Sequence, residues 1–316
     1  MSRIAAFFLA LLLALPAAAQ DKTIRILVGF PAGAGLDTMT RLVADKMRVS
    51  LGQPVVVENR PGAAGQIAMS VVKNAAPDGL TLVMTPLVTV VTAPHIYPKL
   101  PYNAFTDFTP VAHAADFLFA FAVGPSVPAN DLAQYIALVK KDHKFGNYAS
   151  AATGSLPHFF SLLFADTAGI KMNHIGYKGT AAALTDLLGG QISAFMGTVS
   201  DVAAQHKAAK LRVLATSGAK RARELPQVPT FRELGYAIEG AGWYAAYAPA
   251  NTPKATVDRL ALAIGNAIKS PDVRDKLEAL GMEPTGLGPA DLADIHKADY
   301  NKWGPVIKAS GFKPES

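Results

Sequence analysis

The chain has 316 residues, half of them apolar and 17% charged, enough to bury a sizeable core and too apolar for a disordered chain. Its net charge of +6 is spread thinly, and the densest basic run, Lys220-Arg221-Ala222-Arg223, meets Glu224 at once, which reads as a solvated loop rather than a nucleic-acid surface. Cysteine is absent, which excludes disulfides, thiolate metal sites, a cysteine nucleophile and a lipoprotein anchor.

The first segment reads as an export signal. Arg3 is the positive start, Ile4 to Leu15 the apolar run, and Pro16-Ala17-Ala18-Ala19 the small residues before cleavage, so residues 1–19 are removed and Gln20 begins the mature, soluble chain. The apolar run is short for a membrane span. Next, Ile24 to Val28 is a β-branched, apolar strand that leads through the turn Gly29 to Leu36 into a helix ending near Leu51. Met39, Leu42, Val43, Met47 and Leu51 give that helix one apolar face, Asp37 is its N-cap candidate, and Gly52 its C-terminal stop. A helix start after a glycine turn aims backbone N–H groups and partial positive charge at one point, which suits an anion. A second strand, Pro54 to Glu58, a loop, Asn59 to Gly65, a short helix from Gln66 to Asn74, and a third strand, Leu80 to Met84, complete the pattern of a parallel sheet with helices on both faces.

From Leu87 to Pro110 prolines predict irregular structure. Val111 to Val123 is a strand with Phe117, Phe119 and Phe121 on one face, suited to a core. A second unit repeats the plan: helix Asp131 to Lys141, strand Phe145 to Ser150, turn Ala151 to Ser155, and a helix to Ala168 with Pro157 in its first turn. Strand Lys171 to Gly176, turn Tyr177-Lys178-Gly179, helix Thr180 to Leu188, strand Ile192 to Met196, a helix from Val199 and strand Leu211 to Thr216 follow. Thr230 and Glu233 have capping-box spacing, Trp243 to Ala248 is strand-like, and three helices with early prolines follow, Pro253 to about Lys269, Ser270-Pro271 to Leu280 and Pro289 to about Lys308. If the two units face each other, their two helix starts converge on one cleft.

Gly33-Ala34-Gly35-Leu36-Asp37-Thr38 approaches a dinucleotide fingerprint, with Glu58 near the place of a ribose-binding acid. Thr38 occupies the third small position, and an exported chain meets little nicotinamide cofactor, so the anion-binding reading is the one retained. The sequence has no Gly-x-Ser-x-Gly, and Ser155 with His158 is poorly spaced for a nucleophile and its base. The seven histidines are dispersed, without metal-ligand spacing. Trp243-Tyr244 reads as structural, and Tyr177 as either a structural or a ligand-facing ring.

Several runs together carry a family likeness. They are Phe30-Pro31-Ala32-Gly33-Ala34-Gly35-Leu36-Asp37 with Arg41, the specific stretch Gly52-Gln53-Pro54-Val55-Val56-Val57-Glu58-Asn59-Arg60-Pro61-Gly62-Ala63, and Pro77-Asp78-Gly79. Later come Asp107-Phe108-Thr109-Pro110-Val111, Tyr148-Ala149-Ser150, Tyr177-Lys178-Gly179, Leu188-Gly189-Gly190-Gln191 and Pro229-Thr230-Phe231-Arg232-Glu233. The chain resembles the Bug/TctC family of periplasmic solute-binding proteins, receptors of tripartite tricarboxylate transporters. The resemblance implies an α/β, two-lobed Venus-flytrap fold of the type II periplasmic binding class, with a mixed sheet flanked by helices in each lobe. Lobe 1 would comprise 20–122 and 246–316, and lobe 2 would comprise 123–245, joined near Phe119–Val123 and Trp243–Ala248.

It further implies a monomeric receptor without cofactor, metal or nucleic acid. Such a receptor captures a small mono- or dicarboxylate and meets an inner-membrane permease transiently. The binding residues carried over are Ala32, Gly33, Ala34, Gly35 and Asp37 in the first turn, and Ser150, Ala152, Thr153, Gly154, Ser155 and His158 in the second. Thr85, Tyr177, Gly179, Thr198 and Asp201 complete the set. Ala34, Ala152 and Ser193 depart from the family pattern, and both alanines add methyl groups beside the expected ligand. A secreted enzyme on this scaffold, or a sensor that signals without transport, is the alternative.

Overall fold

The computed structural model describes residues 23–177 and 179–313. The export segment read at 1–19 and Lys178 of the Tyr177–Gly179 turn lie outside the described residues.

Strand β1 (Ile24–Val28) is buried at every position but Arg25. It pairs in parallel with β2 (Val55–Asn59) and β3 (Thr81–Pro86), with Ile26 opposite both Val57 and Leu82. The crossovers are α1 (Gly35–Leu51) and α2 (Gln66–Lys73). Met39, Val43 and Met47 form the buried stripe of α1, and Gly52 ends it in the left-handed conformation at φ 65°. The N-cap is Ala34, not Asp37: the helix begins at Gly35, and Asp37 stands inside its first turn. The stretch after β3 is more ordered than its prolines predict, with a π-helical turn at Val88–Thr92 and a short α3 (Ala93–Ile96).

Strand β4 (Phe108–Val123) has 16 residues and starts earlier than predicted. Residues 108–118 pair antiparallel with β9 (Ala241–Pro249), and residues 119–123 pair antiparallel with β7 (Ala194–Thr198). Its far end also pairs with β8 (Arg212–Thr216). One strand therefore belongs to two groups of strands. Where it changes group, the Phe119 and Ser217 backbones hydrogen bond (Ser217 N–H to Phe119 O, 3.0 Å), and Gly240 N–H reaches Ser217 O at 2.8 Å.

The second unit contains α4 (Leu132–Lys141), capped by the Asp131 carboxylate, then β5 (Asn147–Ser150), α5 (Leu156–Ala168), β6 (Asn173–Gly176), α6 (Thr180–Leu188), β7 and α7 (Val199–Lys207). Strand β5 lies parallel to both β6 and β7. The strand order is β2-β1-β3-β9-β4-β7-β5-β6. The Thr230–Glu233 capping box forms, with Thr230 N–H to Glu233 at 2.8 Å and Glu233 N–H to Thr230 at 3.1 Å, but it closes a turn rather than a helix. Gly235 leaves that turn at φ 87°.

Helices α8 (Lys254–Lys269), α9 (Pro271–Ala279) and α10 (Pro289–Ala309) follow, as their proline starts predict. Between α9 and α10, where the sequence reading marks no element, lies β10 (Glu283–Leu287), antiparallel to β4 with Glu283 opposite Asp116. Pro284 and Gly286 disguise it, and the ladder is irregular there. The core has three parts. One, under α2, α5 and α10, holds Phe119, Phe121, Phe160, Trp243 and Trp303, with Phe117 packed at its margin. A second lies against α1, α8 and α9, and a third beneath α6 and α7. Among the described residues no helix is long and apolar enough to cross a membrane.

Candidate functional site

In the first turn Pro31 to Ala34, including Ala32 and Gly33, are exposed. Gly33 adopts φ 86°, which a side-chain-bearing residue takes only with strain. The turn runs into the 17-residue α1, whose first N–H groups, at Gly35 and Leu36, have no acceptor among the described residues. Below it Asp37 is 3% exposed and fully engaged. Its carboxylate accepts Gly33 N–H at 2.9 Å, the Asn59 amide at 2.9 Å and the Arg41 guanidinium at 3.0 Å. Burial alone would raise this carboxyl; the Arg41, Gly33 and Asn59 donors outweigh it and hold it below the ordinary carboxylate range. Asp37 therefore braces the turn and presents Gly33 to Leu36; its own oxygens have no capacity left for a ligand. Asp37→Ala is expected to cost about 2–3 kcal/mol by stranding Arg41 and Asn59, read as a lower urea midpoint. An unchanged midpoint would show that the brace carries no load.

Glu58, the dinucleotide-like acid, is occupied by Arg25 across the strands at 2.6 and 2.9 Å. Thr85 is buried, and its hydroxyl is paired with Thr89 at 2.7 Å.

The second turn is built around two histidines. Strand register places Tyr148 beside His174, so Ser150 Oγ reaches His174 Nε2 at 2.8 Å as well as Ala152 O at 3.0 Å. The His174 ring stacks on His158 at 3.9 Å between centroids. His158 Nδ1 accepts the Gly154 N–H at 3.1 Å, which fixes its tautomer with the proton on Nε2. Burial brings the His158 pKa down to about 4, and burial together with the neighbouring ring does the same for His174. Ala152 and Thr153 are exposed, and Gly179 N–H ties back to Ala151 O at 2.8 Å. Ser155 is the N-cap of α5, yet its hydroxyl makes no cap bond and is a buried oxygen without a partner. Ser155 and His158 do not form a nucleophile–base pair, because the His158 acceptor nitrogen is taken by Gly154. The Phe312 ring lies edge-on to Phe159 and against Gly154, where a Cβ would meet it at 2.5 Å.

Thr198 and Asp201 close a capping box at the start of α7, with Thr198 N–H to Asp201 at 2.8 Å. Tyr177 donates to Asp186 at 2.6 Å on α6, and desolvation with that neighbour pushes the phenol up to about 12. The Gly281–Met282 turn touches two helix starts: a Cβ on Gly35 would meet Met282, and one on Gly281 would meet Ser200. The candidates thus fall into two groups. The first turn and the α7 cap flank Gly281–Met282, while Ser150 to His158 and Gly179 gather at the ends of β5 and β6. The Asn59 and Arg41 braces and His174 were not among the sequence-derived site residues. His174 stands 16 positions from His158, and only the β5–β6 register joins them.

Neither group holds an activated nucleophile. Both offer backbone N–H groups at helix starts, and the second adds the unpartnered Ser155 hydroxyl, donors that suit an anion. Two α/β lobes sharing β4, with such turns at helix starts, define a periplasmic binding protein of the type II class. The model of the tripartite tricarboxylate transporter family receptor matches residues 39–312, and the chain belongs to that family. It is 32% identical to Protein BugT of Bordetella pertussis, over 92% of this chain and 90% of that one. Among solved structures it is similar to Rpa4515 of R. palustris with adipate (30% identity, TM-score 0.78, 93% and 98% of the two chains). It is also similar to MatC of Rhodopseudomonas palustris with bound malate (30% identity, TM-score 0.74, 90% and 98%).

Proposed function

We propose that this protein is a periplasmic receptor that holds a small mono- or dicarboxylate between its lobes and delivers it to a tripartite tricarboxylate-type permease. The observation that carries the reading is the Gly33–Leu36 turn, exposed at Gly33 and Ala34, braced by Asp37, and opening a helix whose first N–H groups are unmatched among the described residues. Malate in MatC and adipate in Rpa4515 support the ligand class. In this reading the second turn, with Ser155 and Gly154, takes the other side of the ligand. The lobes exchange at 118/119 and 240/241, a few residues before the positions read from sequence. Binding alone is the activity, with no chemical step. The export signal at 1–19 supports a periplasmic location, and the protein acts as a monomer.

The test is a thermal-shift titration of the purified protein with malate, adipate and their uncharged amides. A carboxylate at a hundred times its Kd should stabilise by about 2.7 kcal/mol, or roughly 5 °C for a chain of this size. The amides should give nothing. The absence of a shift with every carboxylate, or consumption of the compound, would overturn the reading.

A further inference from the structure

A cavity of about 400 Å³ opens beside the shared strand β4, and none of the binding residues above lines it. Its walls come from β4, β9, β10, α10 and the loop after β8. His113, 1% exposed, stands at its base. Thr285 Oγ1 lies 3.1 Å from the His113 carbonyl and 2.7 Å from His113 Nδ1; when the hydroxyl donates to the carbonyl, it accepts from Nδ1. In that arrangement the ring proton is on Nδ1 and Nε2 is a bare acceptor, and Nε2 has no hydrogen-bond partner. Facing it at 3.3 Å is Asp116 Oδ1, another acceptor. With Nε2 bare, a donor placed beside both would satisfy the two acceptors together.

Two further carboxylates share the cavity. Glu283 lies opposite Asp116 across the β4–β10 ladder, and Asp299 accepts the Trp243 indole N–H at 2.7 Å. Burial and the charge of Asp116 both push Glu283 upward, and burial does the same for Asp299. Lys302 donates to the Glu239 carbonyl while lying near Asp299, and Arg223 and then Lys220 are the cations that act on Glu283. Among the described residues no three such side chains gather closely enough to ligate a metal ion. A spread of single acceptors around a small cavity suits an N–H cation with several protons to donate.

We propose that this cavity is a binding site for a small organic cation, whose primary ammonium group donates to His113 Nε2, Asp116 and Glu283. The site is separate from the carboxylate turns and holds its own ligand.

Isothermal titration calorimetry of the purified protein with putrescine and with ethylammonium tests it, using sodium and tetramethylammonium chloride at equal ionic strength as controls. One-to-one binding of the primary amines is expected at sub-millimolar Kd, with none for tetramethylammonium, which cannot donate. Asp116→Asn and Glu283→Gln, each isosteric and partly solvated, should weaken binding at least tenfold while leaving malate and adipate shifts untouched. Equal heats from all four salts, or amine affinity unchanged in both variants, would overturn it.

Discussion

Gly154→Val is expected to abolish carboxylate binding and to lower the melting temperature by about 5 to 10 °C. Three effects coincide at this position. Gly154 sits at φ 75°, where a β-branched residue is strained by about 1–2 kcal/mol or more. A Cβ would meet the Phe312 ring at 2.5 Å, so either the C-terminal segment or the turn must move. Moving the turn breaks the Gly154 N–H bond to His158 and displaces the Ser155 hydroxyl. Gly33→Val separates strain from collision. It shares the positive φ, but nothing stands within 4 Å of its Cβ, so it should cost only the strain while still disturbing the first turn. Phe312→Ala added to Gly154→Ala should recover part of the stability lost in the single variant, because the collision is gone and the strain remains. Carboxylate affinity unchanged in Gly154→Val, measured by calorimetry on folded protein, would remove the second turn from the site.

Acid should weaken the protein in a window set by the stacked histidines. His158 and His174 hold protons less tightly folded than unfolded, at about 4 against 6.5. Above pH 6.5 neither state carries the protons, and the full stability is present. Between pH 6.5 and 4 the unfolded chain takes up protons that the folded one refuses, so stability falls as pH falls; below 4 the loss levels off. The buried His158 ring sets the scale at about 3 kcal/mol, and half-buried His174 adds less because water screens its charge. Protonating His158 Nδ1 also turns the acceptor of Gly154 N–H into a donor, so carboxylate affinity should drop over the same range. Urea midpoints from pH 8 to 4 measure the effect. The double variant His158→Asn, His174→Gln should lose most of the slope between pH 6.5 and 4, and identical slopes would sink the assignment.

Sequence patterns reached the parts of this molecule governed by short-range rules. The strand–turn–helix of β1 and α1, the glycine at position 52 and the proline starts of the C-terminal helices all follow from local propensity. What escaped depends on distant partners. Pro284 and Gly286 argue against a strand, yet β10 forms because β4 supplies an open edge for Glu283 to pair on. Thr230 and Glu233 satisfy a capping box, but their neighbours Thr216 and Gly235 turn the chain before a helix can grow. Asp37 was visible as important; whether it caps, binds or braces depended on Asn59, 22 positions away. Ala63 and Ala64, at φ 46° and 52°, form a left-handed turn that no alanine propensity predicts.

The two chain crossings between the sheets lie side by side, at Phe119 and Gly240, and both are hydrogen bonded to Ser217. A single covalent crossing is a swivel, free to rotate about every axis. Two adjacent crossings tied to one residue remove shear and leave essentially one rotation, about the line through them. A relative rotation of the two strand groups is therefore expected to follow an arc about that line. Precision of approach is thus a property of the chain's connectivity and survives any change in the surfaces that meet.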